Sequence, residues 1–311
     1  MILVTGGAGF IGSNIVRGFN KRGVKDILLT DDLTFGCKHR NLNRLEFVDY
    51  MDYRELMSNI SKLNITHIIH QGACSDTTEP DGRFMMDTNY EYSKKLLAYC
   101  SNNSVPFIYA SSASVYGDGK AGFRESPECE YPLNVYAFSK CQFDRYYRLN
   151  ADKLRSQVVG LRYFNVYGPQ ENHKGKMASV ASHLFQQVKA NEPMKLFEGS
   201  ADILRDFIHV DDVVNVNLFF FDHPELSGIF NCGTGRAESF EAIARAVQAK
   251  YSEASLEYMP FPDELQGKYQ RFTQADLTNL RAAGYADEFL GVASGVARYL
   301  DVLENSDGYL V

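Results

Sequence analysis

Tyr136 and Lys140 stand four residues apart in a stretch patterned as a helix, so their side chains share one face. A free tyrosine has a pKa of roughly 10 and is a poor base at neutral pH. A neighbouring ammonium, with the positive ring of an oxidised nicotinamide, favours the phenolate and is expected to lower that value. Ser112, at the end of a short apolar run, is spaced to hydrogen-bond the same substrate oxygen. A Tyr-x-x-x-Lys pair also arises by chance, and 19 tyrosines make that easy here. A glycine-rich turn changes the weight. Gly6, Gly9 and Gly12 recur between a strand-like run and a helical one, letting backbone N–H groups approach a pyrophosphate. Asp31 and Asp32 close the next strand-like run, roughly 20 residues on, where a carboxylate binds ribose hydroxyls. The chemistry indicated is hydride transfer with a nicotinamide dinucleotide.

The two aspartates favour a free 2′-hydroxyl, as in NAD, because carboxylates repel a 2′-phosphate. Lys38, His39 and Arg40 either supply the opposite charge for NADP or are simply solvated; the local sequence leaves both open.

These groups need rigid elements to hold them. Ile2–Thr5, Ile27–Thr30, Ile65–His70, Phe107–Ser111 and Val158–Tyr163 read as buried strands. Phe10, Ile11, Ile15, Val16 and Phe19 recur at helical spacing up to Gly23, and further helices are expected near 83–101 and 134–150. The alternation predicts an α/β fold, a doubly wound parallel sheet of Rossmann type. Beyond Pro169 and the polar stretch 170–176, a helix near 177–190 and one near 239–251 flank the strand-like Phe207–Val210 and Ile229–Asn231. We read residues 1–168 as the dinucleotide-binding domain, with segments near 205–235 returning to it. Residues 169–311 read as a smaller C-terminal α/β domain for substrate.

The chain has 311 residues, 45% of them hydrophobic, enough for a two-domain globular enzyme. Its net charge of −7 and the lack of a broad basic face exclude nucleic acid as the main partner. No secretory signal is expected at Met1–Gly12, and no apolar run approaches the ~18–20 residues of a membrane span. Six scattered cysteines with no CxxC pair fit reduced thiols in a cytoplasmic protein and no metal site.

TGGAGFIG (Thr5–Gly12), SSASVYG (Ser111–Gly117) and YAFSK (Tyr136–Lys140) together resemble the extended short-chain dehydrogenase/reductases that act on nucleotide-sugars. RYFNVYGP (Arg162–Pro169), HKGKMASV (His173–Val180), LFEGS (Leu196–Ser200), RDFIHVDDV (Arg205–Val213), NCGTGRAESF (Asn231–Phe240) and QADLTNLRAAGY (Gln274–Tyr285) narrow the resemblance. As a set they are similar to the branch that epimerises an ADP-linked heptose, and the similarity spans nearly the whole chain. RDFIHVDDV is widely shared among nucleotide-sugar enzymes; HKGKMAS, GTGRAESF and the 274–285 segment are more specific.

The resemblance implies an isomerase that inverts C6″ of ADP-D-glycero-β-D-manno-heptose, serving lipopolysaccharide core heptose supply. Hydride leaves C6″, a transient carbonyl turns over, and hydride returns to its other face with no net redox change. It also implies NADP as cofactor, NAD being possible, and a homo-oligomer, a homopentamer in the family. By the same resemblance Tyr136 is one acid/base group, with Ser112 beside it and Lys140 tuning it and binding the nicotinamide ribose. Lys174 is the second acid/base group, or else a phosphate or cofactor contact or a solvated loop lysine. The implied cofactor contacts are Gly6, Gly9, Phe10, Ile11 and Gly12 in the turn, then Asp31, Asp32 and Lys38. Gln71, Gly72, Ala73, Cys74 and Ser75 follow a strand on the adenosine side, and Asn89 and Val166 complete the set. Lys38 is the residue expected to meet a 2′-phosphate.

For the nucleotide-sugar the resemblance points to Asn165, Lys176, His183, Phe197, Glu198, Gly199, Ser200, Arg205 and Tyr269. Arg205 offers a bidentate fork to a diphosphate or bridges the domains as an ion pair; Tyr269 stacks on substrate or belongs to the core. Three positions depart from the family pattern: Tyr53 replaces a lysine, with Arg54 adjacent, Lys176 a small hydroxyl residue, and Gln71 an acid. A 4,6-dehydratase needs an Asp-Glu pair where Ala113 and Ser114 stand. A hexose 4-epimerase would use the same Ser112, Tyr136 and Lys140, but Lys174 and GTGRAESF favour the heptose reaction. A non-catalytic NADP-sensing protein would have no need to keep those three residues together.

Overall fold

The computed structural model describes residues 1–34, 36–262 and 270–310. Side chains of successive strand residues point to opposite faces of a sheet, so a strand covered on both sides is mostly apolar, with any buried polar side chain paired. That is the character of β1 (Ile2–Thr5), β2 (Ile27–Asp31), β4 (His67–His70), β5 (Phe107–Ser112) and β6 (Val158–Tyr163). With β3 (Asp49–Asp52) and β10 (Gly228–Cys232) they form one seven-stranded parallel sheet, in the order β10-β6-β5-β4-β1-β2-β3. The register alternates cleanly. Ile2, Val4, Ile69 and Ile108 face one layer, while Leu3, Ile68, Phe107 and Tyr109 face the other.

The first layer is α1 (Phe10–Lys21), which buries Ile15, Val16 and Phe19 against Val213, Val216 and Phe220 of α7 (Val210–Asp222). Opposite lie α2 (Tyr53–Asn59), α4 (Tyr92–Asn103) and α5 (Val135–Asn150), which bury Leu56, Leu96, Leu97, Phe143 and Tyr147. Each such side chain contributes about 1.5–3 kcal/mol when fully buried, and Phe19→Ala would cost about 3–5 kcal/mol by leaving a cavity. The expected helix near 83–101 is composite. α3 (Gly82–Met86) passes through a π turn (Asp87–Glu91) into α4, and the widened turn carries the buried Asn89 inward.

The C-terminal elements enclose a separate apolar cluster. β7 (Asn165–Tyr167), β9 (Leu204–His209) and β11 (Ala237–Ser239) form a mixed sheet, and β8 (Met194–Phe197) pairs with β12 (Leu256–Met259). α6 (Val180–Lys189), α8 (Phe240–Lys250) and α10 (Val292–Ser306) cover them, and α9 (Thr278–Ala282) lies against β10. The sequence reading omitted α10, although Val292, Val296, Tyr299, Leu300 and Leu303 sit at helical spacing and are buried. It also began one strand early, at Ile65 instead of His67, and another late, at Phe207 instead of Leu204. The first error arose because Ile65 is buried without joining the ladder. In the second, Leu204 and Arg205 pair with β11, a partner remote in sequence.

In this strand order the connections leave β1 and β4 in opposite directions, so a crevice opens above their C-terminal ends. Among the described residues no helix is long and apolar enough to cross a membrane. All six cysteines are free.

Candidate active site

The crevice is a cavity of about 510 Å³. At one end lies the turn after β1, where a Cβ on Gly12 would sit 2.1 Å from the Gly6 carbonyl oxygen. Only glycine allows that approach. Gly9 caps α1 without a side chain, so the first-turn N–H groups of Phe10, Ile11 and Gly12 face the cavity uncapped, at the positive end of the helix dipole. Asp31, at the end of β2 and 6% exposed, accepts the Ala8 N–H (2.9 Å) with Oδ2. Its Oδ1 accepts the Asp32 N–H (2.7 Å) and the Lys38 ammonium (2.8 Å). Lys38 thus neutralises the aspartate rather than standing free in solvent. This donor set and acid fit a dinucleotide: N–H groups for the pyrophosphate, a carboxylate for ribose, and a cation beside it.

A second, smaller cavity of about 210 Å³ adjoins this end. Asp32, Gly72, Ala73, Cys74 and the aromatic rings of Tyr53 and Tyr92 line it. Arg54, beside Tyr53, is committed to Asp52 and lies 3.8 Å from Asp32. Asn89 does not line either cavity. Its amide accepts the Cys74 N–H (2.8 Å) and donates to the Cys74 carbonyl (2.9 Å), so it braces the loop that does.

The reacting end is assembled by β5 and α5. Asn134 caps α5 by accepting the Ala137 N–H (2.8 Å), which starts the helix one residue before Tyr136. Ser112, Tyr136 and Lys140 all line the main cavity. Ser112 Oγ accepts from the Ser114 N–H (3.2 Å) and hydroxyl (2.8 Å), and hydrogen-bonds Tyr136. Lys140 Nζ donates to the Ala110 carbonyl (2.8 Å).

The expected depression of the Tyr136 pKa is not what this site produces. Burial pushes the phenol above its ordinary value, the Ser112 hydrogen bond opposes that, and Cys74 adds to the rise. The ammonium is engaged with Ala110, and burial pulls Lys140 itself down to about 8, with Asp144 opposing.

Lys174 reaches the same cavity from the segment after β7, where Gly175 turns the chain at φ 52°. Its Nζ lies 3.9 Å from Glu171 Oε2 and 5.1 Å from the Phe10 ring centre. Burial lowers the Lys174 pKa and Glu171 raises it. Glu171 is fully buried and accepts the Ser179 N–H (2.7 Å) and hydroxyl (2.5 Å). His173, pulled down to about 4 by burial and nearby lysines, is a neutral neighbour 3.3 Å from Asn41.

The remaining sequence-derived residues divide. Val166 and Gln71 line the main cavity; Asn165, beside Val166, points out and is exposed. Lys176 and His183 are exposed at the rim, with His183 Nε2 3.3 Å from the Lys176 carbonyl oxygen, and Met177 between them in sequence lines the cavity. Phe197, Glu198, Gly199 and Ser200 form the turn from β8 toward β9, and none borders the described cavities. Arg205 is buried on β9, with Nη1 on the Leu204 carbonyl (3.1 Å) and its guanidinium over Phe240 (5.9 Å). Tyr269 lies outside the described residues. Tyr163, Phe164 and Met177, absent from the sequence-derived set, line the cavity because they follow strand and loop ends that converge there.

Residues 2–233 match the family described as NAD dependent epimerase/dehydratase. A curated relative from Brachyspira hyodysenteriae, an ADP-L-glycero-D-manno-heptose-6-epimerase, is 60% identical with all of both chains covered. The crystal structure of the Helicobacter pylori ADP-L-glycero-D-manno-heptose-6-epimerase is 31% identical, covers 98% of this chain and 96% of its own, and has a TM-score of 0.87. A UDP-glucose 4-epimerase from Thermus thermophilus, in complex with NAD, is 26% identical, covers 98% and 99%, and has a TM-score of 0.81.

Proposed function

The chain belongs to the NAD dependent epimerase/dehydratase family, and from that premise we propose that it interconverts the C6″ epimers of ADP-glycero-manno-heptose with NADP as the bound cofactor. The observation that carries the reading is one cavity with two proton-exchanging groups of different type, Tyr136 and Lys174, entering from separate elements. Inversion presents the C6″ oxygen in two orientations, and a second acid/base group on the other side of the cavity can serve the orientation that Tyr136 does not.

A bound nicotinamide supplies reversible hydride transfer at C6″, which a non-acidic C–H requires. The glycine turn and the N-terminus of α1 would hold the pyrophosphate, Asp31 a ribose, and Lys38 the 2′-phosphate. Lys140, anchored on Ala110, keeps two N–H donors for the second ribose. Ser112 donates to Tyr136 and so stabilises its phenolate form, opposing the burial that favours the phenol. Tyr136 exchanges the proton of the C6″ hydroxyl in one orientation. Lys174 exchanges it in the other, with its pKa lowered by burial toward the working range. Phe164, Met177 and Phe10 exclude water from the reacting carbon. Residues 169–311 supply the remaining sugar-nucleotide contacts.

The test is incubation of the purified protein with ADP-D-glycero-β-D-manno-heptose, without added cofactor, followed by chromatographic separation of the epimers. Turnover is expected in the wild type, and Tyr136→Phe should lose about 10²–10⁴-fold while still binding NADP. Full turnover by Tyr136→Phe would overturn the reading.

A further inference from the structure

Beneath the cavity lies a fully buried charge cluster to which the epimerase reading assigns no role. Asp144 extends the Tyr136–Lys140 spacing by one more interval of four, so all three share one face of α5. Each meets the end of β5. Tyr136 hydrogen-bonds Ser112, Lys140 donates to the Ala110 carbonyl (2.8 Å), and Asp144 Oδ2 accepts the Ser111 hydroxyl (2.8 Å). Three consecutive strand residues are therefore tied to three consecutive positions on one helix face.

The Asp144 rung differs because it is gripped from behind. Arg162, on β6 and fully buried, donates Nε to Asp144 Oδ2 (2.9 Å), and the Tyr109 hydroxyl donates to Oδ1 (2.8 Å). Arg162 also bonds the buried Glu130, which accepts from Arg148 (2.6 Å). A carboxylate bound this completely cannot slide along its partners without leaving a buried charge unpaired, so it holds the register of helix against strand. The other two rungs end in groups that also serve the reaction and must be free to exchange partners.

We propose that Asp144, clamped by Arg162, is a positioning residue that fixes Tyr136 against Ser112 and Lys140 against the Ala110 carbonyl. The proposal rests on the assignment of Tyr136, Ser112 and Lys140 to the reaction. Asp144 is the charged carboxylate facing Lys140. The other titratable neighbours are His70 on β4, pushed down to about 3 and neutral, and Cys74 after β4, pushed up and held as the thiol. Tyr136 stands one turn above on the same helix, as the buried phenol.

The test uses the holoenzyme carrying Asp144→Asn or Ser111→Ala. Asp144→Asn should lower kcat about 10–100-fold, as expected for a small misplacement of a reacting group, with KM and NADP affinity within about threefold. The alkaline limb of its kcat–pH profile should also move to lower pH, because Lys140 loses the carboxylate that favours its charged form. Ser111→Ala keeps every charge and removes one rung, so kcat should fall several-fold with the limb unmoved. Asp144→Asn with an unmoved limb, or both variants folded and within twofold of wild-type kcat, overturns the proposal. If Asp144→Asn does not fold, Ser111→Ala decides: kcat within twofold of wild type overturns it. Full activity in Tyr136→Phe would instead overturn the underlying assignment and leave the Asp144 effects without a target, so the two failures are distinct.

Discussion

Replacing Glu171 by glutamine probes the second acid/base group through its carboxylate partner among the described residues. Glutamine keeps the shape and can still accept the Ser179 N–H, so the fold should lose only about 1–2 kcal/mol as charge-assisted bonds become neutral ones. The electrostatic change is larger. At 3.9 Å the pair interaction is about 4 kcal/mol at an effective dielectric of ~20. The Lys174 side chain is 25% exposed toward a water-accessible cavity, which reduces this to roughly 1–3 kcal/mol. The sign is fixed: Glu171 favours the ammonium, so its loss makes Lys174 a free amine at lower pH. Where Lys174 accepts the proton, the acidic limb of kcat moves down. In the reverse direction, where Lys174 donates, the alkaline limb moves down. The assay is kcat for C6″ epimerisation from pH 5 to 10 in both directions, with Lys174→Met as reference. A limb that stays in place or moves up, in a folded Glu171→Gln protein, would refute Lys174 as a proton-exchanging group and leave it a phosphate or cofactor cation.

Two further outcomes follow from the same structure. Lys38→Ala should reduce NADP affinity about 10–100-fold more than NAD affinity, because it removes a charge-assisted contact and unmasks the Asp31 carboxylate; titration of both cofactors checks this, and an unchanged ratio would contradict the assignment. Asp212 is held by burial at about 6, above the ordinary aspartate value, with the Leu290 N–H as its partner. Unfolded, it ionises near ~4, so its burial costs nothing below that pH and up to about 3 kcal/mol above 6. Asp212→Asn should therefore raise the urea midpoint at pH 8 and leave it nearly unchanged at pH 4; an equal gain at both would show that charge burial is not the cause.

The central sheet was legible because its determinants are local. Strands buried on both faces are mostly apolar runs, and Val158–Tyr163 matches the observed strand end for end. The turn at Gly6–Gly12 and the acid at Asp31 were legible for a similar reason: a pyrophosphate against a helix N-terminus constrains backbone shape, and glycine records that in residue type. Local spacing likewise put Tyr136 and Lys140 on one helical face. The small strands β7, β8, β11 and β12 carry weaker signals, since each is short, partly exposed and paired with a segment distant in the chain.

What residue spacing alone determined is therefore the Tyr136–Lys140 pair, the glycine turn and the layered sheet that carries them, all written in periodicities of a few residues; Lys174 came from the family resemblance. Only the tertiary structure decided their state. Burial raises the Tyr136 pKa where the neighbouring ammonium had suggested a fall, because desolvation depends on everything packed around a group. Glu171 beneath Lys174, Lys38 upon Asp31, and Arg162 behind Asp144 are pairings across folded layers or loops. Their energies depend on distance and on exclusion of water, and neither exists until the chain has closed around them.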